Sequence, residues 1–225
     1  MGKFLVISKT AKKTEIMMAY FLRKKVFKDT LLFVGDEHGK YPDIKNANGT
    51  MGIEVVQAEQ AEDFAANLIW KKHEEFKGDA AKLKHYIRCK LSHYEVKLFV
   101  KDNKVEAFST NDLGHSAYYS KILFFTIINK KLDKLNDGRY EAINGDINLA
   151  ILSIYRARSE KHVREILNEY QRIKKYYRKN FNNIYVLFTD ALYEIKGSKI
   201  TKHEITNEDL EELKERFNFV VRGKN

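Results

Sequence analysis

Asp43 and Glu54 are the two residues of this chain whose types and spacing most directly suggest chemistry. They flank Asn48-Gly49, the dipeptide preferred in a two-residue type I′ hairpin turn. Pairing centred on that turn opposes Asn46 to Met51, Lys45 to Gly52, Ile44 to Ile53 and Asp43 to Glu54, with Pro42 opposite Val55. Side chains alternate across a strand, so one face carries Pro42, Ile44, Met51, Ile53 and Val55 and is expected to pack on the core. The other carries Asp43, Lys45 and Glu54, and Gly52 is expected to leave open space beside them. Carboxylates opposed across a hairpin, with Cβ atoms roughly 4.5–5.5 Å apart, repel each other. They need solvent, a shared proton or a cation, and hard oxygen ligands so spaced suit a divalent ion such as Mg²⁺ or Mn²⁺. The plainer alternative is an exposed hairpin whose acids face water. A three-residue loop would shift the pairing by one and send the acids to opposite faces.

Tyr41-Pro42-Asp43-Ile44 followed by Glu54-Val55-Val56-Gln57 resembles the motif of the PD-(D/E)XK (restriction-endonuclease-like) nuclease superfamily. The resemblance implies that Asp43 and Glu54 bind Mg²⁺ on adjacent strands, with the carbonyl of Val55 completing the coordination, for phosphodiester hydrolysis. It also implies a further acid on the preceding helix, which Glu15 matches; a first-turn acid favourable to the helix dipole is the alternative. The motif lysine is missing, because its position is Val56. Gln57 is a candidate in its place, although alternation turns it away from Glu54 unless a β-bulge intervenes. Lys45 shares the face of Glu54, and Lys71 or Lys72, or Lys131 or Lys134, could reach in from a helix. The implied protein is a Mg²⁺-dependent endonuclease acting on DNA more than RNA, plausibly as a homodimer. The missing lysine supports an alternative, a catalytically inactive module that binds nucleic acid or a protein.

The charge agrees with a polyanionic partner: 41 Lys and Arg against 31 Asp and Glu give a formal +10. Arg164, Arg172, Lys174, Lys175 and Arg178 interleave with Tyr170, Tyr176 and Tyr177 and form a candidate phosphate-binding helix. The apolar spacing of Val163, Ile166, Tyr170 and Ile173 means that some of these tyrosines belong to the core. Lys82 to Lys90 is a second basic stretch, more readily read as a solvated helix. His38, His115 and His203 show no metal-ligand spacing, although His38 is near Asp43. Cys89, the single cysteine, has no evident histidine–acid constellation and suggests a reducing compartment. The apolar run Phe4 to Ile7 is too short for a signal peptide, and no segment has the length of a membrane span, so a cytoplasmic protein is expected.

The elements that must position these residues follow from periodicity. Helices are predicted over 12–26, 60–77, 80–92, 116–135, 159–179 and after Thr206, where Asp209 completes a near capping box. Strands are predicted over 31–34, 41–46, 51–57, 148–155 and 184–189, with hairpins over 95–109 and around Gly197-Ser198. The order predicts an α/β (α+β) fold, a mixed central sheet flanked by helices, with an insertion around 80–120. One proline and 11 glycines leave no linker, so residues 1–225 read as a single domain. In the resembled family this order corresponds to an αβββαβ core.

Overall fold

The run from Leu149 to Leu152 is apolar at successive positions, the pattern of a strand covered on both faces. In the computed structural model it lies within β7 (Asp146–Ser153), inside a mixed sheet of eight strands among the described residues. The structure describes residues 5–35, 41–58, 61–91, 96–110, 117–140, 143–153 and 160–217, with side chains at 61–65, 67, 109–110, 117–125 and 161–162 outside the description. His38 and His115 fall outside it.

The chain forms two compact units, one of Met1–Ala58 with Lys121–Asn225 and the other of Glu59–Ser120. The inserted stretch therefore begins earlier than the sequence suggests. The first unit holds β1 (Leu5–Ile7), α1 (Lys13–Lys25), β2 (Leu32–Val34), β3 (Ile44–Asn46) and β4 (Met51–Ala58). After the insertion come the end of α4 (Ala117–Asn136), β7, α5 (Glu160–Ile173), a 3₁₀ turn (Lys174–Tyr176), β8 (Asn183–Leu187), β9 (Ala191–Lys196), β10 (Lys199–Glu204) and α6 (Asn207–Phe217). The sheet order is β1-β2-β3-β4-β7-β8-β9-β10. β4, β7 and β8 run parallel, and β2-β3-β4 and β8-β9-β10 are antiparallel meanders. β1, which the sequence analysis leaves unassigned, pairs parallel with β2.

Parallel neighbours require crossovers, and α5 supplies one between β7 and β8. Alternation along β7 and β8 then divides the core. Leu149, Ile151, Ile184 and Val186 pack with Ile128, Leu132 and Leu135 of α4 and with Val163, Ile166 and Tyr170 of α5. Ala150, Leu152, Tyr185 and Leu187 pack on the other face with Met18, Phe21 and Leu22 of α1 and Leu213 of α6. Asn148 is buried yet satisfied: it donates to the Gly52 carbonyl (3.2 Å) and accepts from the Asn183 backbone N–H (3.1 Å). That bond set ties β4, β7 and β8 in one register, since a slip would strand a buried amide.

The second unit contains α2 (Ala61–Glu75), α3 (Ala80–Lys90) and a hairpin of β5 (Val96–Lys101) and β6 (Lys104–Thr110). Asp102 and Asn103 turn that hairpin with φ of 48° and 61°, the two left-handed residues a type I′ turn demands. Ile69, Ala80, Leu83, Leu91 and Val105 form its core. No helix among the described residues is long and apolar enough to cross a membrane.

Candidate active site

β3 and β4 pair Ile44 with Ile53 and Lys45 with Gly52, the register expected from the sequence. The turn itself differs. Gly49 donates its N–H to the Asn46 carbonyl (3.3 Å) and alone in the loop has a positive φ, so residues 47–50 form a wider loop than a two-residue type I′ turn. The Asn46 side chain accepts the Met51 N–H (3.0 Å) and donates to Thr50 Oγ1 (2.9 Å), offering the backbone an alternative partner. Loops of two and four residues centred on the same bond leave the pairing unchanged, which is why the register survives the different turn.

Beyond Ile44 the chain leaves strand geometry. Pro42 was expected on the face of Ile44. Instead its ring covers Gly52, where an added Cβ would lie 2.4 Å from Pro42 Cγ and 3.1 Å from Ile147 Cδ1. Gly52 is therefore filled by neighbours and leaves no open space beside the acids. Asp43 Oδ2 accepts the Val55 N–H at 2.7 Å, substituting for a backbone partner after β3 has ended. A strand residue directs its N–H and C=O to the same edge, so the Val55 carbonyl shares the edge that Asp43 occupies.

Glu54 is buried, with 5% of its surface exposed. Lys131 Nζ lies 2.5 Å and Lys134 Nζ 3.5 Å from its Oε1, both reaching in from α4. Positions 131 and 134 share a flank of that helix, while Ile128, Leu132 and Leu135 face the sheet. Glu15 is buried at the start of α1, where Oε2 accepts the Lys12 backbone N–H and Oε1 the Lys12 ammonium, each at 2.9 Å. It thus serves as the helix-capping acid of the alternative reading, and its charge still acts on Asp43.

The electrostatics mark Asp43 as strained by its neighbours. Burial, then the charge of Glu54, raises Asp43 to about 6, with Glu15 adding to the shift and the Val55 N–H and Lys131 opposing it. Lys12 is held protonated above its usual range, first by its bond to Glu15 and, after burial opposes it, by the charges of Glu15, Asp43 and Glu54. Burial, then the charge of Glu54 and a hydrogen-bonding approach to it, pushes the Tyr140 phenol upward. Sequence reasoning passes over Lys12 and Tyr140. The three-residue step from Lys12 to Glu15 is a capping spacing that could have found the first, whereas nothing local points to Tyr140.

The other predicted residues are dispersed. Gln57 is exposed, and the β4–β7 ladder runs unbroken from Met51 to Ala58, so no bulge turns Gln57 toward the face of Glu54. The Lys45 ammonium lies 3.6 Å from the Tyr41 ring centroid. Lys71 and Lys72 belong to the second unit, where Lys72 pairs with Glu75 at 2.5 Å. His203 lies on β10, at the far edge of the sheet. Cys89 is exposed with His85 Nε2 at 3.7 Å, a contact that the i, i+4 spacing on α3 creates and the sequence analysis does not register. Among the described residues, no three His, Cys, Asp or Glu side chains group closely enough to hold a metal ion.

The basic helix ends sooner than predicted. Regular α-helix stops at Ile173, and Tyr177 is extended at φ −117° and ψ 141°, leaving Arg178 outside it. Arg164 pairs with Glu160 (2.5 Å) and Arg172 with Glu169 (3.0 Å), so two of the five predicted phosphate-binding cations already have acidic partners. Tyr170 is core, donating to the Phe181 carbonyl at 2.7 Å, whereas Tyr176 is 83% exposed. Comparison of the chain with protein-family models, curated proteins and solved structures finds no match.

Proposed function

We propose that this chain is a Mg²⁺-dependent nuclease of restriction-endonuclease-like fold that hydrolyses phosphodiester bonds in DNA. The observation that carries the reading is the pair of crowded carboxylates, Asp43 and Glu54, with the Lys131 ammonium bonded to one of them. The order α1-β2-β3-β4, then α4-β7 with β7 parallel to β4, supports an αβββαβ core. The donor set fits Mg²⁺, which needs only one or two protein carboxylates because water and substrate phosphate supply the rest. Asp43, Glu54 and the Val55 carbonyl would hold the ion, which supplies an activated water and charge neutralisation at the phosphate.

The chain's own residues supply orientation. The Val55 N–H fixes one oxygen of Asp43, leaving the other for the site. Lys131, only 15% exposed, provides the ammonium absent from position 56 and offsets charge developing on the phosphate. Glu15 holds Lys12 beside the same acids.

A second reading has its own observation. Lys131 and Lys134 both face Glu54 Oε1, so the carboxylate is neutralised without a metal, as in a nuclease-like module that binds nucleic acid or a protein without cutting. Incubation with plasmid, single-stranded DNA and RNA, under Mg²⁺, Mn²⁺ or EDTA, separates the two. Metal-dependent cleavage that disappears in Asp43→Ala and Glu54→Ala is expected. Binding without cleavage, unchanged in both variants, would overturn the enzymatic reading.

A further inference from the structure

The loop that follows α5 is built unlike the rest of the basic surface. The Tyr177 N–H donates to the Lys174 carbonyl (3.2 Å), closing the 3₁₀ turn. Tyr177 Oη donates to Asp133 Oδ1 (2.9 Å), with Asn129 Oδ1 at 3.2 Å. Asn136 clasps the backbone of Lys179, accepting its N–H at 2.9 Å and donating to its carbonyl at 3.0 Å. Residues 174–179 are thus anchored to α4, and within this bracket Tyr176 projects into solvent. Its exposure alone would mean little, because scattered surface aromatics are common. Here it is flanked by Lys175, Arg178 and Lys179, which are exposed and have no ion pair among the described residues. Arg164 and Arg172, by contrast, are paired.

The anchoring helix is also the one that reaches the acids. With 3.6 residues per turn, positions 129, 133 and 136 fall on one flank of α4 and positions 131 and 134 on the other. The ridge between them carries exposed Lys130. The loop and the Glu54 site thus lie against opposite flanks of one helix, whose diameter with side chains is about 10–12 Å.

We infer that the Tyr176 loop is a grip for single-stranded nucleic acid, in which a base stacks on the Tyr176 ring and Lys175, Arg178 and Lys179 hold the flanking phosphates. A stacking ring requires an unpaired base, because in a duplex both base faces are already covered, so the grip selects single strands or unpaired ends. The inference rests on the nuclease reading for what the site does to the bound strand, and it names the substrate class of that site.

Fluorescence anisotropy in EDTA tests the grip apart from cleavage, using labelled single-stranded DNA and RNA of equal length and the corresponding duplex. Single strands are expected to bind more tightly than duplex. Tyr176→Ala is expected to weaken single-strand binding about tenfold and Tyr176→Phe to restore it, since stacking needs the ring and not the hydroxyl. A Lys175→Ala, Arg178→Ala double variant is expected to weaken every ligand and flatten the salt dependence. Single-strand affinity within twofold of the parent in Tyr176→Ala, or tighter binding of duplex, would overturn the inference. Metal-dependent cleavage by Tyr176→Ala at the parent rate on single strands would leave the nuclease reading standing without the grip. Tyr176-dependent binding with no cleavage under any metal would keep the grip and remove the nuclease reading.

Discussion

Two buried clusters of acids in the same unit have opposite electrostatics. At the end of α1, Asp209 accepts the Lys24 ammonium at 2.8 Å, the Lys25 ammonium at 2.6 Å and the Thr206 backbone N–H at 2.8 Å. Burial alone would raise its pKa, but these partners more than offset that and hold it well below the usual carboxylate range. At the start of α1, Asp43 has a single backbone bond and faces two further acids, and it is raised to about 6. One cluster fastens α6 to α1. The other holds like charges together, an arrangement that costs stability and is expected where charge is needed for chemistry.

Four substitutions break or sharpen that contrast. Glu54→Gln has the largest expected effect: metal-dependent cleavage of single-stranded DNA falls at least about a hundredfold per folded molecule. Asp209→Ala should spare cleavage and cost stability. It leaves Lys24 and Lys25 without this partner and is expected to lower stability by about 2 kcal/mol in urea unfolding. That is less than a fully buried pair would lose, because the two lysine side chains are 33% and 20% exposed. Its cleavage rate per folded molecule should match the parent. If Asp209→Ala lost cleavage while remaining folded, the separation of the clusters would fail.

Lys131→Met tests whether this ammonium serves catalysis. Cleavage should drop roughly tenfold or more, and the apparent pKa of Asp43, followed by carboxyl NMR, should rise because Lys131 now opposes the shift. Asp43→Asn tests the strain rather than the chemistry: it keeps an oxygen for the Val55 N–H and removes a charge. A raised native pKa means that the folded state binds the proton more tightly than the unfolded chain. Asp43 therefore costs stability above about pH 6, and the cost fades as pH falls from about 6 toward 4. Asp43→Asn is expected to gain stability at pH 7.5, by up to about 3 kcal/mol for a shift from 3.8 to about 6, and nothing near pH 4. Asp209 has the opposite sign, contributing stability above about pH 4 and losing it in more acidic solution. Equal stability curves for parent and Asp43→Asn across pH 4–8 would contradict the strain assigned to the first cluster.

Much of the scaffold was legible because its signals are local. The double-faced burial of β7 follows from the unbroken apolar run Leu149 to Leu152. The start of α6 follows from Thr206 and Asp209, which exchange reciprocal bonds of 2.8 and 3.2 Å. The β5–β6 turn follows from Asp102-Asn103. The helix over 159–179 was overextended because its last residues are held by α4, which no periodicity within the segment records.

At the site, the amino-acid sequence by itself determined the pairing of Ile44 with Ile53 and of Lys45 with Gly52, because the centre of the hairpin suffices for that. Tertiary structure decided where the acids next to that pairing lie. Pro42 covers Gly52, Asp43 accepts the Val55 N–H, and α4 packing places the Lys131 ammonium, rather than Lys45 or the Gln57 amide, beside Glu54. Pairing register depends on neighbours a few residues apart, whereas the partner of Glu54 lies 77 positions away and arrives only when the helix buries Ile128, Leu132 and Leu135 against the sheet.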